Sequence, residues 1–181
     1  VGSKGEGWKR TKNRRDYAML PPGSVLIDWV KASGGKTYAI GKIGDIFSMR
    51  NIDYNFTGTD RDLMNHLRKQ IDSAEDGSLI FANFVEFDSL FGHRRDPTGY
   101  AKALEWFDNE IASVVRNLLE DDLLIITADH GNDPTWSGTD HTREQVPILI
   151  KGKADLIQSG IEFGDVAKLA SKHLGLAIPE P

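Results

Sequence analysis

The sequence predicts an α/β fold in which a mostly parallel sheet has helices on both of its faces. Two observations support this prediction. Short apolar runs rich in β-branched residues alternate along the chain with longer stretches whose apolar residues recur every three or four positions, as expected for strands joined by crossover helices. At 181 residues, the chain is also long enough to bury one sizeable hydrophobic core.

The first half of the chain contains two predicted helices and one predicted strand. Residues 1–22 combine glycines, clustered charge and a Pro-Pro stop, so we do not expect them to belong to the core. Ser24 is suited to cap a short helix that ends before Gly34. Residues 37–40 form a short apolar run typical of a strand. Residues 60–72 are predicted to form an amphipathic helix, because apolar residues recur there every four positions behind an acidic cap.

The second half alternates three predicted strands with two predicted helices. The strand 78–87 is rich in β-branched and aromatic residues, and the strand 123–127 is a continuous apolar run; a further strand is predicted over 146–150. The helices 100–119 and 163–173 each carry an apolar stripe on one side. These elements complete the predicted βα alternation.

Charge is unevenly distributed along this acidic chain. The net charge is −5, but residues 1–17 hold six cations and two acidic groups, which leaves −9 for the remainder. A basic terminus on an acidic body favours a phosphate-bearing small molecule over nucleic acid, and a solvated basic tail is the alternative. Lys42 lies in a glycine-flanked turn after the first predicted strand. There it can reach a phosphate or sugar oxygen, or simply face solvent.

The composition excludes two classes of protein. No apolar run approaches the roughly 20 residues that a membrane helix requires, so no membrane association is expected. The chain has no cysteine and no charged-then-apolar signal segment, which excludes a secreted disulfide scaffold. A soluble protein with the cytoplasm as its default compartment is therefore expected.

Carboxylate and imidazole side chains follow two of the predicted strands. They are Asp88, His93, Asp129, His130 and His141. Because the carboxyl ends of parallel strands meet at one edge of a sheet, we expect these groups to converge. Carboxylate oxygen and neutral imidazole suit divalent ions such as Mn²⁺ or Zn²⁺. Five such groups exceed what one tetrahedral site needs, so the pattern predicts a two-metal site of the kind used in phosphoryl transfer.

Several stretches of the sequence together resemble one enzyme family. The matching stretches are 10–17, 41–43, 83–96, 127–134 and 138–144. They closely resemble phosphopentomutases, members of the alkaline-phosphatase-like metalloenzyme superfamily. The Asp-His-Gly triplet is typical of the whole superfamily, whereas the Gly-His-Arg-Arg-Asp and Gly-Thr-Asp-His-Thr-Arg elements are more specific. Glu86 stands where the family commonly has Asp.

The resemblance implies an alkaline-phosphatase-like core and an isomerase of nucleotide metabolism. Such an enzyme interconverts ribose 1-phosphate, or its 2-deoxy form, and ribose 5-phosphate through a phosphoenzyme and a bisphosphorylated sugar at two Mn²⁺ ions. By the same resemblance, Asp88, His93 and His141 would hold one ion. Asp129 and His130 would hold the other.

The resemblance also implies that further parts of such an enzyme precede this chain. Arg10 and Lys42 match positions that grip the sugar phosphate. The nucleophilic Thr and a further Asp ligand are expected before Val1, so no catalytic nucleophile is assigned within these 181 residues. Residues 1–22 are expected to be the end of a cap domain, and residues 23–181 the carboxyl-terminal part of the metal-binding core. The chain alone is therefore expected to be inactive and to need the missing amino-terminal part as its partner.

Two alternatives stay open at this point. Another alkaline-phosphatase-like enzyme, such as a metal-dependent phosphatase or a cofactor-independent phosphoglycerate mutase, would share the Asp-His-Gly triplet. A non-catalytic metal-binding domain would keep the ligands without a nucleophile. The pentose-side elements favour the phosphopentomutase interpretation.

Overall fold

The computed structural model describes residues 2–5, 7–8, 17–153 and 161–177. These residues form short strands, five α-helices and one π-helix. In chain order the elements are β1 (Gly2–Ser3), β2 (Gly7–Trp8), α1 (Leu26–Ala32), β3 (Thr37–Ile40), α2 (Ile43–Ile46), β4 (Tyr54–Phe56), α3 (Asp60–Ser73), β5 (Leu79–Ala82), the π-helix (Phe87–Gly92), α4 (Pro97–Asn117), β6 (Leu124–Thr127), β7 (Ile148–Lys151) and α5 (Phe163–His173).

The central sheet is parallel and has three strands in the order β4-β3-β5. Tyr38 in β3 pairs with Tyr54 on one side and with Ile80 on the other. All four residues of β3 are buried, because the strand has neighbours on both edges and helices on both faces. Ile40 packs with residues of α3 and α4, whereas Ala39 packs with residues of α1 and α2. The predicted α/β class, with parallel strands between helices, is therefore confirmed.

The second predicted strand is shorter than expected. β5 ends at Ala82, and the chain soon enters the π-helix. Asp60 explains why the strand does not continue. Its two carboxylate oxygens accept the backbone N–H groups of Val85 and Glu86, each at 3.1 Å. Those N–H groups bond to a side chain and not to a neighbouring strand. The prediction of a strand over 78–87 was therefore wrong beyond Ala82.

β6 and β7 form a separate antiparallel pair. Ile125 pairs with Ile150, and within the described residues β6 has no pairing with β5. The connection from β6 to β7 contains no helix, and parallel neighbours need a crossover that is usually helical, so β7 returns antiparallel. The expectation that the predicted strands before Asp88 and Asp129 end side by side in one sheet was wrong for this part of the chain. The loops after the strands meet instead.

Helix boundaries depend on capping groups that periodicity does not locate. α1 is preceded by Val25, whose N–H donates to a side-chain oxygen of Asp28 at 2.9 Å, so the predicted Ser24 cap was wrong. α4 begins at Pro97 and not at residue 100, because Asp96 caps it by accepting a backbone N–H at 2.9 Å and proline is tolerated in the first turn. α5 covers its predicted range. α2 and β4 were not predicted.

The segment from residue 17 to residue 23 lies against the loop after α2. The Arg50 guanidinium donates to the carbonyls of Pro21 and Gly23, both at 3.2 Å. Ser48 donates its hydroxyl to the carbonyl of Ala18 at 2.9 Å. The expected boundary between a cap remnant at 1–22 and a core at 23–181 stays a prediction.

A helix needs about 20 predominantly apolar residues to cross a bilayer. None of the helices in the described ranges combines that length with that apolar character. The expected cytoplasmic location stays a prediction.

Candidate metal centre

The π-helix brings Asp88 and His93 together. The His93 N–H donates to the Asp88 carbonyl at 2.9 Å, the i to i+5 bond of π-helices, which occur frequently at functional sites. Nδ1 of His93 lies 2.6 Å from the Thr139 carbonyl, which only accepts, so Nδ1 carries the proton in the neutral ring. Nε2 then offers its lone pair and lies 3.3 Å from Asp88 Oδ2. Metal-binding histidines are commonly held by such a second hydrogen bond.

The loop after β6 brings His130 and His141 together. The backbones of Gly131 and Thr142 form an antiparallel bridge, in which the Thr142 N–H donates to the Gly131 carbonyl at 3.0 Å. A Cβ on Gly131 would lie 3.0 Å from the Thr142 carbonyl oxygen, so this close approach favours glycine. The rings of His130 and His141 stack with their centroids 3.7 Å apart.

Asp88 lies at the centre of the cluster. Its Oδ1 is 3.1 Å from His141 Nε2 and its Oδ2 is 3.3 Å from His93 Nε2. One ligand atom each from Asp88, His130 and His141 lies within 4.8 Å of the others. Two ligand atoms of one ion, each bonded at about 2.0–2.2 Å, lie at most about 4.4 Å apart, which is close to the separations in this group. The geometry and the donor types therefore fit a divalent metal ion.

Asp129 stands apart from this compact group. Its side chain is 72% exposed, and its Oδ2 lies 3.7 Å from His130 Nε2. His130 is close both to Asp129 and to the Asp88–His141 pair. The structure thus brings four of the five predicted ligands into one cluster and leaves Asp129 at its rim. How these ligands divide between two ions stays a prediction.

Sequence reasoning did not single out three residues that contact or surround Asp88. Asn132 donates its side-chain amide to Asp88 Oδ1 at 2.7 Å, and Arg95 donates to the Asn132 amide oxygen at 2.6 Å. Burial, and next the nearby charge of Asp88, raise the pKa of Tyr100. Asn132 directly follows the Asp-His-Gly triplet and Arg95 lies in the Gly-His-Arg-Arg-Asp element. Those motifs are signals, but they do not reveal which side chain contacts which.

A cavity of about 680 Å³ opens beside the cluster. Asp88, His93 and His141 line it, together with the cations Lys42 and Arg94. Lys42 reaches the cavity because it lies between β3 and α2, at the carboxyl end of a parallel strand, where ligands bind in open α/β sheets. The volume is ordinary for a small-molecule site. Arg10, the other predicted phosphate-binding residue, lies outside the described residues.

A buried carboxyl group also borders this cavity. Asp60 is only 4% exposed, and it holds the backbone that enters the π-helix. Burial, and secondarily the charge of Glu86, raise the pKa of Asp60 to about 6, while the two backbone hydrogen bonds act in the opposite direction.

Comparisons with known proteins identify the family of this chain. A family model described as the metalloenzyme superfamily matches residues 9–178. The chain belongs to the metalloenzyme superfamily. The matched range includes all five predicted ligands, whose carboxylate and imidazole groups are donor types that bind divalent metals; their assignment as ligands stays a prediction.

Several curated phosphopentomutases are similar to the chain. It is 45% identical to the enzyme of Chromohalobacter salexigens over 98% of this chain and 44% of that protein. The identity is 43% for Actinobacillus succinogenes, over 98% of this chain and 46% of that protein. For Chelativorans sp. it is 47%, over 97% and 44% respectively. The chain therefore spans less than half the length of these relatives.

Proposed function

We propose that this chain forms the metal-holding part of a phosphopentomutase. The observation that carries the proposal is the carboxylate of Asp88, which faces Nε2 of both His93 and His141 in a cavity that also contains Lys42. Relatives named phosphopentomutase align with nearly the whole chain. The intact enzyme would be an isomerase that moves a phosphoryl group between C1 and C5 of ribose or 2-deoxyribose.

The proposed cofactor is a pair of Mn²⁺ ions. When bound, two such ions neutralise charge on the attacking and leaving oxygens of a phosphoryl transfer. Asp88, His93 and His141 supply a set of three ligands. Asp129 and His130 supply only two for the second ion, so we expect weak binding there unless a further carboxylate joins them.

The proposed substrate is a pentose phosphate. Lys42 would bind its phosphate, since an ammonium group on a flexible stem is a common phosphate ligand. Arg10 would assist from the basic segment, as the resemblance implies. The cavity would exclude water from the reacting phosphoryl group and orient the sugar between Lys42 and the cluster.

Metal binding by the 181-residue chain is the first test. Titration calorimetry with Mn²⁺ should reveal one tighter site and at most one weaker site. Asp88→Asn should abolish the tighter site, because it removes the negative charge of the carboxylate that faces both His93 and His141. Asp108→Asn on α4 is the matched control, since that aspartate is exposed and lies outside the cluster. Equal binding by wild type and Asp88→Asn would refute the proposed site.

Activity is the second test. The chain alone with excess Mn²⁺ should show no migration of phosphate between C1 and C5 of ribose. A chimera that joins it to the part of the Chromohalobacter salexigens enzyme that it does not match should show turnover, which is ~1 to 10³ per second for ordinary enzymes. Preference of the chimera for 3-phosphoglycerate or an aryl phosphate would favour the two other superfamily activities. Metal binding without any turnover would favour a non-catalytic domain.

A further inference from the structure

We infer that Arg95 is the positioning residue of the metal centre, acting on Asp88 through Asn132 and on the histidine loops through their backbone. This inference rests on the proposed metal site. Arg95 follows His93 by two residues and has a left-handed backbone with φ 53°, which is uncommon for a residue other than glycine. Its side-chain contacts account for the retention of this conformation.

The Arg95 guanidinium bonds two loops at once. It donates to the carbonyls of Gly92 at 3.0 Å, Asp133 at 2.9 Å and Asp140 at 2.6 Å, and also to that of Gly138. Gly92 adjoins His93, and the other acceptors lie in the loop between His130 and His141. One planar group with several fixed donors therefore sets the distance between the loops that carry three histidines.

The same guanidinium fixes the orientation of the Asn132 amide. A guanidinium has only donors, so the Asn132 oxygen must face Arg95, at 2.6 Å, and its NH₂ group must face the other way. That NH₂ group donates to Asp88 Oδ1 at 2.7 Å. Asn132 is only 8% exposed, so water does not readily replace either partner. Arg95 thereby orients the carboxylate at the centre of the cluster.

The backbone beside the amide is shaped to accept it. A Cβ on Gly92 would lie 2.5 Å from the Asn132 amide nitrogen, so glycine at this position leaves the space that the amide occupies. The neighbouring Arg94 differs from Arg95, because it is exposed and lines the cavity. The two adjacent arginines thus have different roles, and Arg95 directs its charge inward to the loops.

Arg95→Lys is the decisive variant, because lysine keeps the charge but loses the planar array of donors. Mn²⁺ affinity of the 181-residue chain should fall roughly 10- to 100-fold, the usual loss when a partner of a metal ligand is removed. Asn132→Ala should have a similar effect. In the Arg95→Lys background, Asn132→Ala should weaken binding by less than about two-fold more, since residues that act through one another are not additive. Arg116→Lys on α4 is the control, because that arginine is exposed and lies outside both the cluster and the cavity, and it should leave Mn²⁺ affinity unchanged.

A readout without metal separates positioning from general stability. In ¹⁵N-histidine spectra of the metal-free chain, Arg95→Lys should shift the ring signals of His93, His130 and His141. The signals of His66 and His173 should not move, because these residues lie on α3 and α5. Unchanged cluster signals in the folded variant, or equal shifts of all five histidines, would overturn the inference.

Three other outcomes of these experiments also decide between the possibilities. If Arg95→Lys does not fold, Asn132→Ala provides the same readouts, and its failure to shift the His141 signal would refute the relay to Asp88. If the wild-type chain binds no Mn²⁺, the proposed function fails, while the histidine signals still decide whether Arg95 positions the loops. Multiplying losses of Mn²⁺ affinity in the double variant would show that Arg95 and Asn132 act independently.

Discussion

The buried carboxyl group of Asp60 should make stability depend on pH in a predictable direction. Its pKa is raised from 3.8 to about 6 in the folded chain, so the folded state binds this proton more tightly than the unfolded state. Asp60 then contributes most stability below pH 3.8, and its contribution falls as pH rises to about 6. The difference between the two pKa values corresponds to a change of about 3 kcal/mol in the free energy of unfolding.

Asp60→Asn isolates this contribution. The variant keeps one acceptor for the N–H groups of Val85 and Glu86, so one N–H loses its partner at a cost of about 1–3 kcal/mol that does not depend on pH. The variant should therefore be less stable than wild type at acidic pH. Between pH 4.5 and pH 7 the difference should narrow by about 2 kcal/mol, because only wild type must then bury a charge.

Urea denaturation in the presence of a chelator, at intervals from pH 4.5 to 7, measures the difference directly. Subtracting the two curves cancels the titration of the groups that do not interact with Asp60, and leaves Asp60 with its coupling to Glu86. A difference in unfolding free energy that stays constant over this range would refute the reasoning. So would a ¹³C titration of the Asp60 carboxyl group with its midpoint below pH 4.5.

Three further predictions concern metal, substrate and backbone. Removing metal with a chelator should lower the melting temperature without abolishing the cooperative transition, because the apolar clusters around β3 do not include the ligands; complete loss of structure would instead show a structural metal. In the active chimera, Lys42→Ala should raise the Kd for ribose 5-phosphate and leave Mn²⁺ content unchanged, with the exposed Lys69→Ala on α3 as control. Gly41→Ala should destabilise the chain more than Gly77→Ala in urea denaturation. Both glycines have a positive φ, but only at Gly41 would a Cβ meet a backbone oxygen, that of Asn83 at 2.2 Å; equal losses would contradict this account.

Much of the fold and of the site follows from local patterns. Apolar periodicity indicates α3, α4 and α5, because a helix that packs on a sheet must have one apolar side whatever its neighbours are. The apolar runs at β3 and β6 indicate strands for a similar reason. Residue types and motif spacing likewise pointed to Asp88, His93 and His141, since imidazole and carboxylate are rarely placed together without a polar partner or an ion.

The tertiary structure alone decided where the polar backbone and the long side chains find their partners. β5 stops at Ala82, and Asp60, distant in sequence, accepts the N–H groups of Val85 and Glu86 that follow. Of the two adjacent arginines Arg94 and Arg95, Arg95 is the one that donates hydrogen bonds to the loop between His130 and His141, at Asn132 and Asp133. Periodicity reports which side of an element is apolar, whereas hydrogen-bond partners depend on which distant segments meet, and that is settled only when the chain is folded.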